Sequence, residues 1–208
     1  MKNGLDAVMY SGGKKHMQVL GIVGSPRHKG NTEILVDEVL RGAKGAGATV
    51  EKVVLAKLSI SPCQACEACL KTGKCVQQDD MTLMLEKMRN SQVWVLGTPV
   101  YWRGPSAQFK TFLDRWFGKE EVVGFGDKLA VLTIPLGTPD RGVARPLVEM
   151  FEGFLAHMEM KVVATILAPN VWERGKVHEH PDILSIAYQA GVKAVANGRD
   201  RFESVQGE

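Results

Sequence analysis

The chain has 208 residues, enough for one compact domain, and its formal net charge at pH 7 is only +3. Its basic residues are scattered and form no stripe, which argues against a nucleic-acid partner. No apolar run approaches the roughly 20 residues that cross a bilayer, and the first 16 residues lack the apolar centre of a secretory signal. We therefore expect a cytoplasmic protein with no nucleic-acid partner and no membrane partner.

Residues 1–16 differ from the rest of the chain, because they are rich in glycine and lysine and show little periodicity. They predict a flexible arm or a segment that packs on a partner subunit. From residue 17 to residue 208 we expect a single domain, since strand and helix patterns alternate there without a repeat or a low-complexity tract.

Short apolar runs predict five strands, and amphipathic runs between them predict helices. The strands span residues 18–23, 49–55, 92–97, 128–134 and 161–167, and the helices begin at residue 31 or span 80–90, 106–117, 141–158 and 181–196. This alternation is typical of an α/β fold with a doubly wound parallel sheet, whose ligand lies beyond the carboxyl ends of the strands. The candidate loops are therefore 24–30, 59–79, 98–105 and 135–140.

The loop between the first strand and the first helix has the features of an anion site. Its glycines permit tight turns, Ser25 and Thr32 offer hydroxyl groups, and Arg27 can donate two hydrogen bonds to an anion. Asn31 or Thr32 can cap the helix, whose first amides attract negative charge. The segment thus predicts a phosphate-binding corner, with an ordinary strand-to-helix turn as the alternative.

Two well-known phosphate loops fit this segment badly. A Walker loop needs lysine directly after the second glycine, but Asn31 follows Gly30. A dinucleotide-binding loop needs a glycine where Val23 stands and an acidic residue after the second strand, which instead ends in residues 53–56 without one. A mononucleotide-type corner in a flavodoxin-like sheet remains.

The loop after the third strand carries two large aromatic side chains, Tyr101 and Trp102, between two prolines that stiffen it. A flat apolar ligand can stack there, or a neighbouring subunit can bury the patch. Next to an anion corner, this loop predicts a site for a phosphorylated planar cofactor, with flavin mononucleotide (FMN) as the obvious candidate. The later loop 135–139 is expected to add contacts, among them the Thr138 hydroxyl.

An amphipathic helix follows the aromatic loop, and Ser106 is predicted to cap it. Its apolar stripe predicts a core or a subunit interface. We expect Phe112, Trp116 and Phe117 to form part of a symmetric interface between subunits.

All four cysteines lie within the loop 59–79, in the array CxxCxxCx5C formed by Cys63, Cys66, Cys69 and Cys75. Cysteines at this spacing can turn their sulfurs into one concavity, and Gly73 lets the backbone bring the fourth inward. A cytosolic chain rarely keeps disulfides, so the array predicts a soft-metal site. Its compactness favours a 4Fe-4S cluster over zinc, and reduced or redox-active thiols are the remaining alternative. Asp79 and Asp80 are predicted to cap the helix that follows.

These segments resemble the two flavin-binding signatures of the NADPH-dependent FMN reductase family. The signatures correspond to Gly24–Arg27 with Gly30–Thr32, and to Thr98–Trp102 with Ser106–Lys110 and Asp114–Arg115. The resemblance implies a flavodoxin-like fold whose five-stranded parallel sheet has the order 2-1-3-4-5. It also implies that the FMN phosphate is held by Ser25, Arg27, Asn31 and Thr32, and that the isoalloxazine ring is bordered by Pro99, Val100, Tyr101 and Trp102.

Within this superfamily, the cysteine segment is similar to that of the iron-sulfur flavoproteins. The likeness implies a 4Fe-4S cluster that exchanges electrons with FMN, in a homodimer or homotetramer. We therefore expect an FMN-dependent oxidoreductase whose electron donor is a protein such as a ferredoxin, or NAD(P)H. The alternatives are a cluster-free NAD(P)H-dependent FMN or quinone reductase and, from a different class, a thiol-based redox sensor or a zinc-bound interaction module.

Overall fold

The computed structural model describes residues 17–118 and 123–205, so the predicted arm 1–16 lies outside the described residues. Five strands form one parallel sheet in the order β2-β1-β3-β4-β5, which confirms the predicted fold. The strands are β1 Gln18–Val23, β2 Thr49–Val54, β3 Val93–Gly97, β4 Leu129–Pro135 and β5 Lys161–Ala168. The central strands β1, β3 and β4 are buried on both faces, as expected of a parallel sheet covered by helices.

The helices are α1 Asn31–Gly45, α2 Ala68–Thr72, α3 Met81–Asn90, α4 Ala107–Asp114, α5 Arg145–His157 and α6 Pro181–Val205. The predicted helix 141–158 starts instead with a 3-10 turn, Arg141–Ala144, because Pro146 suits only the first turn of a helix. The last helix is longer than predicted and continues to Val205. Within the described ranges, no helix combines the length and apolar character needed to cross a bilayer.

Two apolar layers flank the sheet, since successive side chains of a strand point to opposite faces. Val19 and Val93 pack on one face with residues of α1 and α6. Leu20 and Trp94 pack on the other face with residues of α3, α4 and α5. The helices thereby fix the positions of the strand ends, where the candidate loops begin.

The apolar stripe of α4 belongs to this second layer. Phe112 and Trp116 are 0% and 2% exposed, and their rings make edge contacts with each other and with Phe109 or Trp94. The predicted interface role of Phe112 and Trp116 is therefore wrong, because the same chain already covers both rings. Phe117 is half exposed and is the member of the predicted set that still reaches the surface.

Candidate functional site

A cavity of about 460 Å³ opens at the carboxyl ends of β1, β3 and β4. It brings together every predicted flavin-contacting residue except Thr138. The lining consists of Ser25, Arg27, Asn31, Thr32, Pro99, Val100, Tyr101, Trp102, Pro135, Gly137, Val171 and Trp172. Thr138 does not line it. Its hydroxyl oxygen accepts a hydrogen bond from the Asp140 amide, and its carbonyl accepts one from the Asn170 amide.

The first turn of α1 borders this cavity, since Asn31 and Thr32 line it. The helix begins after Gly30, and no side chain caps it, so the predicted capping by Asn31 or Thr32 is wrong. In the part of the chain that the structure describes, the amides of Asn31 and Thr32 have no protein acceptor. Helix N-terminal amides that lack an acceptor attract an anion, and the nearby Ser25 and Arg27 side chains suit the same ligand.

A buried carboxylate, Glu33, stabilises the loop between β1 and α1. It accepts hydrogen bonds from the Lys29 amide at 2.6 Å and from Lys52 Nζ at 2.9 Å. Burial raises the pKa of this carboxyl, but the bonds from Lys52 and Lys29 outweigh that effect and leave the pKa below its ordinary value. Glu33 is therefore ionised at neutral pH, and Lys52 compensates its charge beside the anion corner.

Ser106 joins the anion corner to the aromatic loop. Its hydroxyl donates to the Gly24 carbonyl at 2.5 Å, and its amide donates to Thr98 Oγ1 at 3.1 Å. The same hydroxyl accepts from the Phe109 amide, which confirms the predicted cap of α4. Glycine is needed at position 24 because a Cβ there would lie 2.5 Å from Phe109 Cδ2. The φ of Gly24 is not positive, so the turn itself does not require glycine.

The aromatic loop is a tight antiparallel turn closed by paired 2.9 Å hydrogen bonds between Tyr101 and Gly104. Trp102 and Arg103 at its tip have φ of 51° and 66°, in the left-handed region that bulky side chains rarely adopt. Such a conformation costs on the order of 1 to 3 kcal/mol and is enriched at ligand sites. The result is that Trp102 stands fully exposed at the mouth of the cavity.

The structure adds Val171 and Trp172, which the sequence analysis missed. They follow β5, and the Trp172 ring packs on Gly137, where a Cβ would lie 2.4 Å from Trp172 Cε3. Arg27 Nη1 donates to the Trp172 carbonyl at 2.8 Å, and its guanidinium lies 5.9 Å from the centroid of the ring. The signal that could have found Trp172 is an aromatic residue just beyond the carboxyl end of a predicted strand.

The cysteine segment lies apart from the cavity, since no cysteine lines it. All four thiols are free, with Cys63 and Cys66 exposed and Cys69 and Cys75 partly buried. Among the residues that the structure describes, no three cysteine, histidine or acidic side chains are arranged to hold a metal ion, so the predicted convergence of the sulfurs is absent there. Four thiols in one short segment suit a soft metal or an iron-sulfur cluster by their chemistry, but their arrangement forms no cage.

A buried arginine anchors this segment to α4. Arg115 donates from Nη1 to the Ser61 carbonyl and the Asp79 carboxylate, and from Nη2 to Cys75 Sγ at 3.4 Å. Burial raises the pKa of the Asp79 carboxyl, but the hydrogen bonds from Arg115 and from the Ser61 and Met81 amides outweigh this effect and leave the pKa below its ordinary value. Asp79 also accepts from the Met81 amide, the first amide of α3. Asp80 is the N-cap residue, but its side chain accepts from the Ser59 amide and does not cap the helix, so the predicted capping by Asp80 is wrong.

Comparison with known proteins gives a consistent result. The sequence profile described as NADPH-dependent FMN reductase matches residues 17–173. An iron-sulfur flavoprotein of Methanocaldococcus jannaschii is 43% identical over 99 residues, which cover 48% of this chain and 51% of that protein. A Bacillus subtilis protein provisionally named NAD(P)H-dependent FMN-containing oxidoreductase is 27% identical over 158 residues, covering 73% of this chain and 84% of that protein.

Among solved structures, NAD(P)H:quinone oxidoreductase from Methanothermobacter marburgensis has a similar fold, with a TM-score of 0.68 and 18% identity. The match covers 85% of this chain and 98% of that one. The chain spans about half the length of the iron-sulfur flavoproteins that it matches. The profile match extends over most of the described residues and contains both loops of the cavity. The chain therefore belongs to the NADPH-dependent FMN reductase family.

Proposed function

We propose that this protein is an FMN-dependent oxidoreductase that binds FMN in the cavity at the carboxyl ends of β1, β3 and β4. The observation that carries the proposal is the meeting of an anion corner and an aromatic loop in one cavity. Ser106 ties the two loops together, so their relative position is set before the ligand arrives. Membership of the family supports the same ligand.

In this proposal, Ser25, Arg27 and the first-turn amides of α1 bind the phosphate group. The segment Pro99–Trp102 borders the isoalloxazine ring. FMN, when bound, supplies the redox chemistry, and the protein supplies binding and orientation. Glu33 keeps the anion corner in shape through its bond to the Lys29 amide.

We propose further that the protein is an iron-sulfur flavoprotein, in which Cys63, Cys66, Cys69 and Cys75 hold a 4Fe-4S cluster that exchanges electrons with FMN. Two facts support this assignment: the four-thiol donor set and the names of the relatives that match about half of the chain. The thiols of the described residues are not gathered around one point, so cluster binding would rearrange the segment.

A second candidate is a cluster-free NAD(P)H-dependent FMN or quinone reductase. The Bacillus subtilis relative favours it, because the match covers 84% of that protein. The exposed face of Trp102 is available for a nicotinamide ring in that case. The third candidate is a thiol-based redox sensor or a zinc-bound interaction module.

We also propose a cytoplasmic homodimer or homotetramer that accepts electrons from a ferredoxin-like protein or from NAD(P)H. Exposed Trp102, Phe117 and Trp172 support association, because large apolar side chains on a surface mark contact sites.

The composition of the protein purified without oxygen separates these candidates. One FMN per chain with about four iron and four sulfide supports the iron-sulfur flavoprotein. FMN without iron favours the cluster-free reductase, and zinc without iron favours the interaction module. A protein that neither retains nor rebinds FMN would overturn the proposal as a whole.

A further inference from the structure

The side chain of Asn31 is fully engaged within the protein. Its Nδ2 donates to the Val171 carbonyl and to the Glu173 carbonyl, both at 2.8 Å. Its Oδ1 accepts from the Val177 amide at 3.1 Å. A carboxamide has two N–H groups, so no side-chain donor of Asn31 is left for a phosphate group. The residue is 7% exposed and lines the cavity, and among the described residues its backbone amide has no acceptor.

The three bonds all go to one segment, residues 171–177, which we call the β5–α6 strap. The strap is held again by the Val171 amide, which donates to the Leu136 carbonyl at 3.0 Å. Trp172 lies between two carbonyls that Asn31 binds, so its backbone cannot shift while those bonds persist. Arg27, in the loop before α1, adds a bond to the Trp172 carbonyl at 2.8 Å.

We propose that Asn31 is a positioning residue that holds Trp172 as a wall of the cavity, in contact with the bound flavin. The phosphate is then bound by the amides of Asn31 and Thr32 with Ser25 and Arg27, and the Asn31 side chain acts through the strap. The part of this inference that concerns FMN rests on the proposed function. The hydrogen bonds that hold the strap to Asn31 do not depend on it.

Binding of FMN and of riboflavin, which lacks the phosphate, separates a positioning residue from a phosphate ligand. Dissociation constants are measured by flavin fluorescence for the wild type, Asn31→Ala, Trp172→Ala and the double variant. We expect Asn31→Ala to weaken the binding of both ligands by the same factor, roughly tenfold, because Trp172 is then no longer held against the flavin. We also expect no further loss when it is combined with Trp172→Ala. Asn90→Ala, exposed at the end of α3, is the matched control.

The inference would be overturned if Asn31→Ala weakened the binding of FMN but not of riboflavin, and if this loss added fully to that of Trp172→Ala. The Asn31 side chain would then be a phosphate ligand. If Asn31→Ala does not fold by circular dichroism, Asn31→Ser is used in its place. If the wild type binds no flavin, the proposed function is wrong. The role of Asn31 in holding the strap is then tested by a measurement that does not use flavin.

The initial rate of tryptic cleavage after Arg174 supplies that readout, because Arg174 lies in the strap and is exposed. Native-state cleavage follows the population of locally opened chain. We expect Asn31→Ala to raise this rate about tenfold relative to wild type and Asn90→Ala, while cleavage elsewhere stays unchanged. An unchanged rate after Arg174 would show that Asn31 does not hold the strap.

Discussion

Arg115 Nη1 lies 2.6 Å from Asp79 Oδ2, and the side chains of the two residues are only 2% and 9% exposed. The pair joins the end of α4 to the end of the cysteine segment. Ser106 at the start of the same helix binds the loops of the cavity. Helix α4 is therefore the element that fixes the cysteine segment relative to the candidate flavin site.

The buried pair predicts a large loss of stability when one partner is removed. Arg115→Ala leaves the Asp79 carboxylate buried without its charge partner, which costs about 3 kcal/mol in such pairs. Urea unfolding followed by circular dichroism measures the difference. Arg145→Ala is the control, since its ion pair with Glu149 is exposed and should contribute little. Equal midpoints for Arg115→Ala and wild type would mean that the pair does not anchor the segment.

The lowered pKa of Glu33 predicts an acid-dependent loss of stability. Burial raises this pKa, but the bonds from Lys52 and Lys29 bring it below its ordinary value of 4.5. The carboxylate thus stabilises the folded chain above that value, and its contribution disappears as the pH falls through the lowered pKa.

Glu33→Gln should be less stable than wild type at pH 7, where it loses the charge-assisted bonds. The gap should close as acid protonates Glu33 in the wild type. Thermal unfolding at a series of pH values tests this, and a gap that stays constant down to pH 3 would contradict it.

Arg27→Ala should weaken FMN binding by about 1.5 to 3 kcal/mol, the value of a hydrogen bond to a charged group. The loss of affinity should be smaller for riboflavin, because riboflavin lacks the phosphate group that Arg27 is proposed to bind. Arg27→Lys keeps the charge but not the planar fork of donors, so its FMN affinity should lie between those of wild type and Arg27→Ala. Fluorescence titration gives these affinities, and an FMN affinity equal to that of wild type would remove Arg27 from the site.

Cys66→Ser should lose iron and sulfide but keep FMN, since no cysteine lines the cavity. Reduction by a one-electron protein donor should fall sharply, while direct chemical reduction of the flavin persists. Gln64→Ser, in the same exposed segment, is the control. Equal stopped-flow rates through the protein donor at matched flavin content would favour the cluster-free reductase.

The sheet and both loops of the cavity were predictable from the sequence, because strand periodicity and the residues after strand ends are local signals. Trp172 was not, since it reaches the cavity through contacts with Arg27 and Asn31, which lie far away in the sequence. The burial of Phe112 and Trp116 likewise depends on which helices cover that face of the sheet, and an amphipathic stripe does not reveal this.

Thr138 shows a further limit of sequence reasoning. Its loop position predicts that its hydroxyl contributes to the site, whereas in the structure this hydroxyl accepts a hydrogen bond from the Asp140 amide and Thr138 does not line the cavity. Asn31 illustrates the converse case, because its place in the cavity was predicted while its partners on the strap were not. Side-chain partners distant in sequence decide both outcomes.

A crystal structure of the protein in complex with FMN would show where the flavin binds. We expect density for the phosphate within hydrogen-bond distance of the amides of Asn31 and Thr32, and density for the isoalloxazine ring against Pro99–Trp102. The Asn31 side chain should keep its bonds to the strap, with Trp172 contacting the flavin. Flavin bound outside this cavity, or an empty cavity at saturating FMN, would contradict the account.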